Sequence, residues 1–145
     1  ITFIQWFRRA YFNLHLRVNR LSHSEGWAAG CWFVPIVNLF RPYQIMKELF
    51  QATHLFLKRN EVHTTEHLSI ASLGLWWTLW IINWFVGRFA FKYAMKAETI
   101  EELTTSTIAQ LISNGIGIVL AIITINIITE YSKLELVMHK VKITE

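Results

Sequence analysis

The side chains best placed to do chemistry are His63, Glu66 and His67, in the order His-Thr-Thr-Glu-His. Two histidines four apart share a helix face and can hold zinc while the glutamate activates water, the arrangement of the inverted zinc metallopeptidases. The rest of the chain does not complete such a site. No third ligand is identifiable, and the stretch lies in a polar linker just before an apolar run, where Thr64 or Thr65 with Glu66 reads as a helix start. His54 nearby adds at most an incidental metal contact. None of the six histidines falls in the middle of a long apolar run, which disfavours haem ligation. Cys31 is the only cysteine, so there is neither a disulfide framework nor a thiolate cluster. These residue types imply no catalytic residue, no metal, no cofactor and no enzyme.

The elements that would have to position such groups belong to a membrane protein. The 145 residues are 53% hydrophobic and 14% aromatic, with seven Trp, which is too apolar for an ordinary soluble domain. A bilayer core of about 30 Å needs roughly 20 apolar helical residues. Residues 68–87, LSIASLGLWWTLWIINWFVG, supply 20 without a charge, and residues 103–129 supply 27. Two spanning helices are therefore expected. Lys and Arg number 14 against ten Glu and no Asp; the positives sit beside apolar runs, as juxtamembrane charges do, and not in a nucleic-acid-binding patch.

A third apolar stretch, residues 26–40, is only 15 long and is interrupted by Pro35. As a straight helix it would reach about 22 Å, short of a crossing. It is expected to be a Pro-kinked short or re-entrant segment, with Gly26 and Gly30 as a GxxxG helix-packing pair. Arg41 and Pro42 then open an amphipathic helix over 41–58, expected to lie at the headgroups. Upstream, ITFIQWF ahead of Arg8-Arg9 looks like the last turns of a span truncated at the N-terminus. Phe7, Tyr11, Leu14, Val18 and Leu21 continue one helical face into an interfacial helix. The linker from Ser22 to Gly26 ends it.

The run 68–87 is Trp-rich, with Trp76, Trp77, Trp80 and Trp84, and carries the carboxamide Asn83 among them, expected to donate a hydrogen bond to a neighbouring helix. The indoles read as helix or lipid packing, with an aromatic cage for a ligand as the alternative. Thr99 and Glu102 form a capping-box pattern that starts the last span. Along that span Ala109, Ser113, Gly117 and Ala121 recur every four residues and are expected to form a helix-packing strip. Gln110, Asn114 and Asn126 add uncharged polar groups there. The tail 130–145 is polar, with a helical extension as one reading.

A resemblance covers most of the chain. Arg9-Ala10-Tyr11, Asn13-Leu14, Ser24, Gly26-Trp27-Ala28, Gly30, Trp32-Phe33, Pro35, Asn38-Leu39, Arg41-Pro42-Tyr43-Gln44, Met46, Glu48, Trp76-Trp77, Leu79-Trp80, Asn83 and Gly87-Arg88 resemble the pattern of a bacterial multi-pass membrane family known as domain of unknown function 4328. The resemblance implies a bacterial inner-membrane protein with further hydrophobic sequence upstream. It implies no reaction.

Charge counting separates two topologies. The polar segments carry four (Arg8, Arg9, Arg17, Arg20), four (Arg41, Lys47, Lys58, Arg59), three (Arg88, Lys92, Lys96) and three (Lys133, Lys140, Lys142) positives. If every apolar run crosses, the two sides tie. If residues 26–40 return to the side they left, 11 positives face 3, the asymmetry of the positive-inside rule, with a cytoplasmic tail. The sequence thus describes an all-α integral membrane protein forming a single membrane domain over 1–145. Its expected partners are the lipid bilayer and either other membrane subunits or a second copy of itself. The first functional class is an accessory or scaffolding subunit; the second is a small transporter or channel with a pathway near Pro35 and the intramembrane Asn83 and Asn114.

Overall fold

The computed structural model describes residues 2–62 and 70–141, all helix, turn or loop, with no strand among them. Five α-helices follow one another: α1 Thr2–His15, α2 Glu25–Gly30, α3 Arg41–Arg59, α4 Ile70–Ala94 and α5 Ile100–Lys140, with a 3₁₀ turn at Val37–Leu39. The chain forms two compact units. One contains the residues up to Leu73 together with those from Ile127 onward; the other is Gly74–Asn126. The His63, Glu66 and His67 triplet lies outside the described residues.

In the first unit, α1 buries Phe7, Ala10, Tyr11 and Leu14, spaced by three and four. It stops at His15, well before Leu21. The continued apolar spacing of Val18 and Leu21 suggested a longer helix. Instead the chain turns, with Arg20 at a left-handed φ of 74°, and His15 Nε2 donates to the His23 carbonyl at 3.0 Å.

Residues 26–40 are not one kinked helix. They hold the end of a six-residue α2, a run of turns through Pro35 and the 3₁₀ turn. Six helical residues rise only about 9 Å. Pro35 sits in the turns, where its missing donor costs no helical bond. Trp32 meets Phe3 and Phe7 edge-on at 5.6 and 6.3 Å, while Phe33 and Ile36 remain about three-quarters exposed.

Pro42 falls in the first turn of α3, where its absent N–H matters least. The inward face of that helix is Ile45, Met46, Leu49, Phe50, Thr53 and Leu57, and all are buried. Protein covers this stripe: Tyr131 of α5 packs edge-on against Phe50 at 5.2 Å and lies 3.3 Å from the Thr53 hydroxyl.

In the second unit, α4 and α5 run antiparallel through a short connection at residues 95–99. Helix α4 continues past Gly87 to Ala94, so Arg88 and Lys92 extend its last turns. The start of α5 has the capping box. Glu102 Oε2 accepts from the Thr99 N–H at 3.2 Å, and Thr99 Oγ1 accepts from the Glu102 N–H at 3.2 Å. This helix runs 41 residues, about 61 Å at 1.5 Å each, twice the thickness of a bilayer core. It passes Thr129 because Ile127, Tyr131, Leu134 and Met138 keep a three-and-four spacing and are buried. Both α4 and α5 are long and apolar enough to span a membrane, and only 17% of each apolar window is buried.

Candidate functional site

Two clusters of side chains organise the units. In the first unit, Glu48 on α3 is the focus. Its carboxylate accepts from the Tyr11 hydroxyl at 2.6 Å, the Ser22 N–H at 2.6 Å and His23 Nδ1 at 3.2 Å. Burial pushes the Glu48 carboxyl up, but the donors from Tyr11, Ser22 and His23 outweigh it and hold the group below the usual carboxylate value. Burial, and then the Glu48 contact, push the Tyr11 hydroxyl well above its ordinary value. A carboxylate that three donors stabilise, beside a phenol that will not ionise, is a structural clasp and a poor general base.

Two further links close the same unit. Asn13 Nδ2 donates to Glu135 Oε1 at 2.5 Å, and Arg17 donates to the Val141 carbonyl at 3.0 Å. The polar segments that carry Arg8 to Arg20, Arg41 to Arg59 and Lys133 to Lys140 thus all contribute to one unit.

The segment 26–40 packs in a limited way. A Cβ added at Gly26 or Gly30 would meet nothing within 4 Å among the described residues. The Arg41 guanidinium lies 5.6 Å from the centroid of Trp27 and 5.9 Å from that of Phe40. Asn38 Oδ1 and Arg41 Nε are buried without a hydrogen-bond partner among the described residues. Tyr43 is half-buried. Cys31 is fully buried, and burial pushes its thiol up to about 11.

In the second unit, α4 turns Trp76, Trp80, Asn83, Gly87 and Ala90 toward α5, a four-three-four-three spacing. Ser113 Oγ donates to Asn83 Oδ1 at 2.9 Å, and Trp76 Nε1 donates to Thr124 Oγ1 at 2.9 Å. A Cβ on Gly87 would stand 3.3 Å from Ser113 Oγ, and one on Gly117 would stand 3.8 Å from Asn83 Nδ2. Small residues therefore let the helices close around a satisfied polar pair. The indoles of Trp77 and Trp80 stack at 4.8 Å and 4°. The Arg88 guanidinium lies 5.4 Å from the Trp84 ring centroid.

The strip Ala109, Ser113, Gly117 and Ala121 does not stay on one face. Four residues advance an α-helix by about 40°, so three such steps turn it through roughly a third of a circle. Ser113 is buried against α4, Ala109 and Gly117 are half-buried, and Ala121 is exposed. Gln110 and Asn114 lie on the exposed side with Ala121; Asn126 is exposed as well. The Glu48 clasp went unseen in the sequence because its partners lie 25 to 37 residues away and fit no local motif.

Taken by class, this is an all-helical protein with two helices fit to span a membrane and a clasped helical unit formed around Glu48. The chain belongs to the family described as Domain of unknown function (DUF4328), which it matches over residues 1–133. No curated protein and no solved structure matches it.

Proposed function

We propose that the chain is a multi-pass protein of the bacterial inner membrane that serves as an accessory or scaffolding subunit of a membrane complex or homo-oligomer, without enzymatic activity of its own. The observation that carries this reading is the low burial of α4 and α5, 17% of each apolar window. A core helix in a soluble protein would be mostly buried, whereas helices that meet lipid and other helices keep such faces open. Asn83, the intramembrane polar residue of α4, is engaged by Ser113, which supports helix packing over a transport pathway through that position.

The bilayer is the first partner, and further membrane subunits or a second copy are the next. The test is purification from native membranes in mild detergent, with mass determination and identification of every stoichiometric component. Components at fixed ratio, or a symmetric oligomer, are expected. A lone monomer under conditions that preserve known complexes overturns the subunit reading.

A further inference from the structure

Gln110 and Asn114 lie about 15 and 21 Å along α5 from Ile100, inside the length that a bilayer core would cover. Both are exposed, and Gln110 Nε2 donates to Asn114 Oδ1 at 3.1 Å. Neither amide has another partner among the described residues. Each therefore keeps hydrogen-bonding capacity that hydrocarbon cannot satisfy: Gln110 Oε1 as acceptor, and the Asn114 amide hydrogens as donors.

The surroundings suit a helix. Thr107, Gln110, Asn114 and Ala121 lie on one exposed strip of α5 beside the face that meets α4, with Gly117, which faces Asn83, at the border between the two. At its N-terminal end the strip borders a groove of about 280 Å³ lined by Ala90, Ala94, Ser106 and Thr107 together with the larger Phe91, Gln110 and Leu111.

We propose that this strip is the contact between two copies of the chain, with the Gln110 and Asn114 amides hydrogen-bonding across it. The proposal rests on the membrane-subunit reading above and names its partner. Self-complementarity selects the occupant. Copies inserted with one topology are related by a two-fold axis along the membrane normal, so residues near that axis meet their own counterparts. A carboxamide both donates and accepts, and so pairs with its own image; a face bearing only donors, or only one sign of charge, could not. The pair sets register within an otherwise apolar span, as a buried Asn does in a coiled coil.

Disulfide cross-linking in native membranes tests this. In a Cys31→Ala background, Gln110→Cys and Asn114→Cys are compared with Val119→Cys, which is 50% exposed and lies about 140° round the helix from Asn114. A dimer of the chain at 110 and 114, at least tenfold above that at 119, is expected. No cross-link at 110 and 114, or equal yield at 119, overturns the proposal. A cross-link from 114 to a different polypeptide also overturns it, while leaving the subunit reading intact. Alkaline-carbonate extraction of the same membranes reports separately on whether the chain is embedded at all; release into the supernatant removes the membrane reading itself. In a second assay, energy transfer between labelled copies in lipid vesicles is expected to weaken about tenfold for the double variant Gln110→Leu, Asn114→Leu. Unchanged transfer overturns the proposal. Neither residue contacts α4 through a hydrogen bond, so helicity by circular dichroism confirms that the variant is folded.

Discussion

Glu48 joins three stretches of the first unit through three donors, and that makes it the most sensitive single residue there. Replacing it by alanine leaves the Tyr11 hydroxyl, on a residue with no exposed surface, with only the His23 carbonyl at 3.3 Å as acceptor, and removes the acceptor for Ser22 and His23. A buried donor left without its charged acceptor costs about 1–3 kcal/mol. Glu48→Ala is expected to lower the thermal midpoint of the full chain, followed by circular dichroism in detergent, whereas Glu25→Ala is expected to leave it nearly unchanged. The Arg8–Glu25 pair is 3.9 Å apart and about half exposed. The clasp also has a pH signature. The folded Glu48 carboxyl sits below its unfolded value, so its contribution is present above the unfolded value of about 4.3 and fades as pH falls through the lower folded one. Wild type is expected to lose stability below about pH 4.5 more steeply than Glu48→Ala; parallel acid profiles would remove the carboxylate from this role. The contact was not legible beforehand. Tyr11 and Glu48 both belong to the pattern that carries the family resemblance, but a contact across 37 residues leaves no trace in a single sequence.

The α4–α5 pair was more legible, because a helix start, apolar length and small residues are local signals. Thr99 and Glu102 announced the N-terminus of α5, and Asn83 announced a hydrogen bond to a neighbouring helix. What the sequence obscured was the angular drift of the four-residue strip, which separates Ser113 from Ala121. The distant end of α5 was obscured too, since Glu130 and Lys133 mask the buried series Ile127, Tyr131, Leu134 and Met138. Two substitutions separate polar from steric contributions to the pair. Asn83→Ala deletes the acceptor for Ser113 and is expected to cost about 0.6 kcal/mol, the average for such bonds within membranes. Gly87→Leu places a branched side chain where even a Cβ stands 3.3 Å from Ser113 Oγ, and is expected to cost more, about 1–3 kcal/mol for overpacking. Denaturation of the purified protein in lipid-like detergent gives both values. Equal losses would mean that close approach at Gly87 contributes nothing beyond the hydrogen bond.

For the whole molecule, the decisive question is which side of the membrane each polar segment occupies. If residues 26–40 crossed the bilayer, Ser22 and Glu48 would lie on opposite faces, yet they are joined by a 2.6 Å hydrogen bond. A bilayer core of about 30 Å cannot separate groups that touch. The same argument joins Arg17 to Val141. Charge counting favoured the arrangement from a different direction, since the first, second and fourth polar segments together hold 11 of the 14 positives. In a chain embedded as proposed, the short α2 and the exposed Phe33 and Ile36 would form an apolar arm that dips into one leaflet and returns. Single cysteines in a Cys31→Ala background read this out. Ser24→Cys and Gln44→Cys, both at exposed positions flanking the arm, are expected to react with a membrane-impermeant maleimide only from the cytoplasmic side. Lys96→Cys, in the α4–α5 connection, is expected to react only from the periplasmic side. Labelling of Ser24→Cys and Gln44→Cys from opposite sides would mean that the arm crosses and that the Glu48 clasp does not form in the membrane. Native Cys31 is a poor probe for the purpose, because a buried thiol raised to about 11 stays largely protonated and shielded from either side.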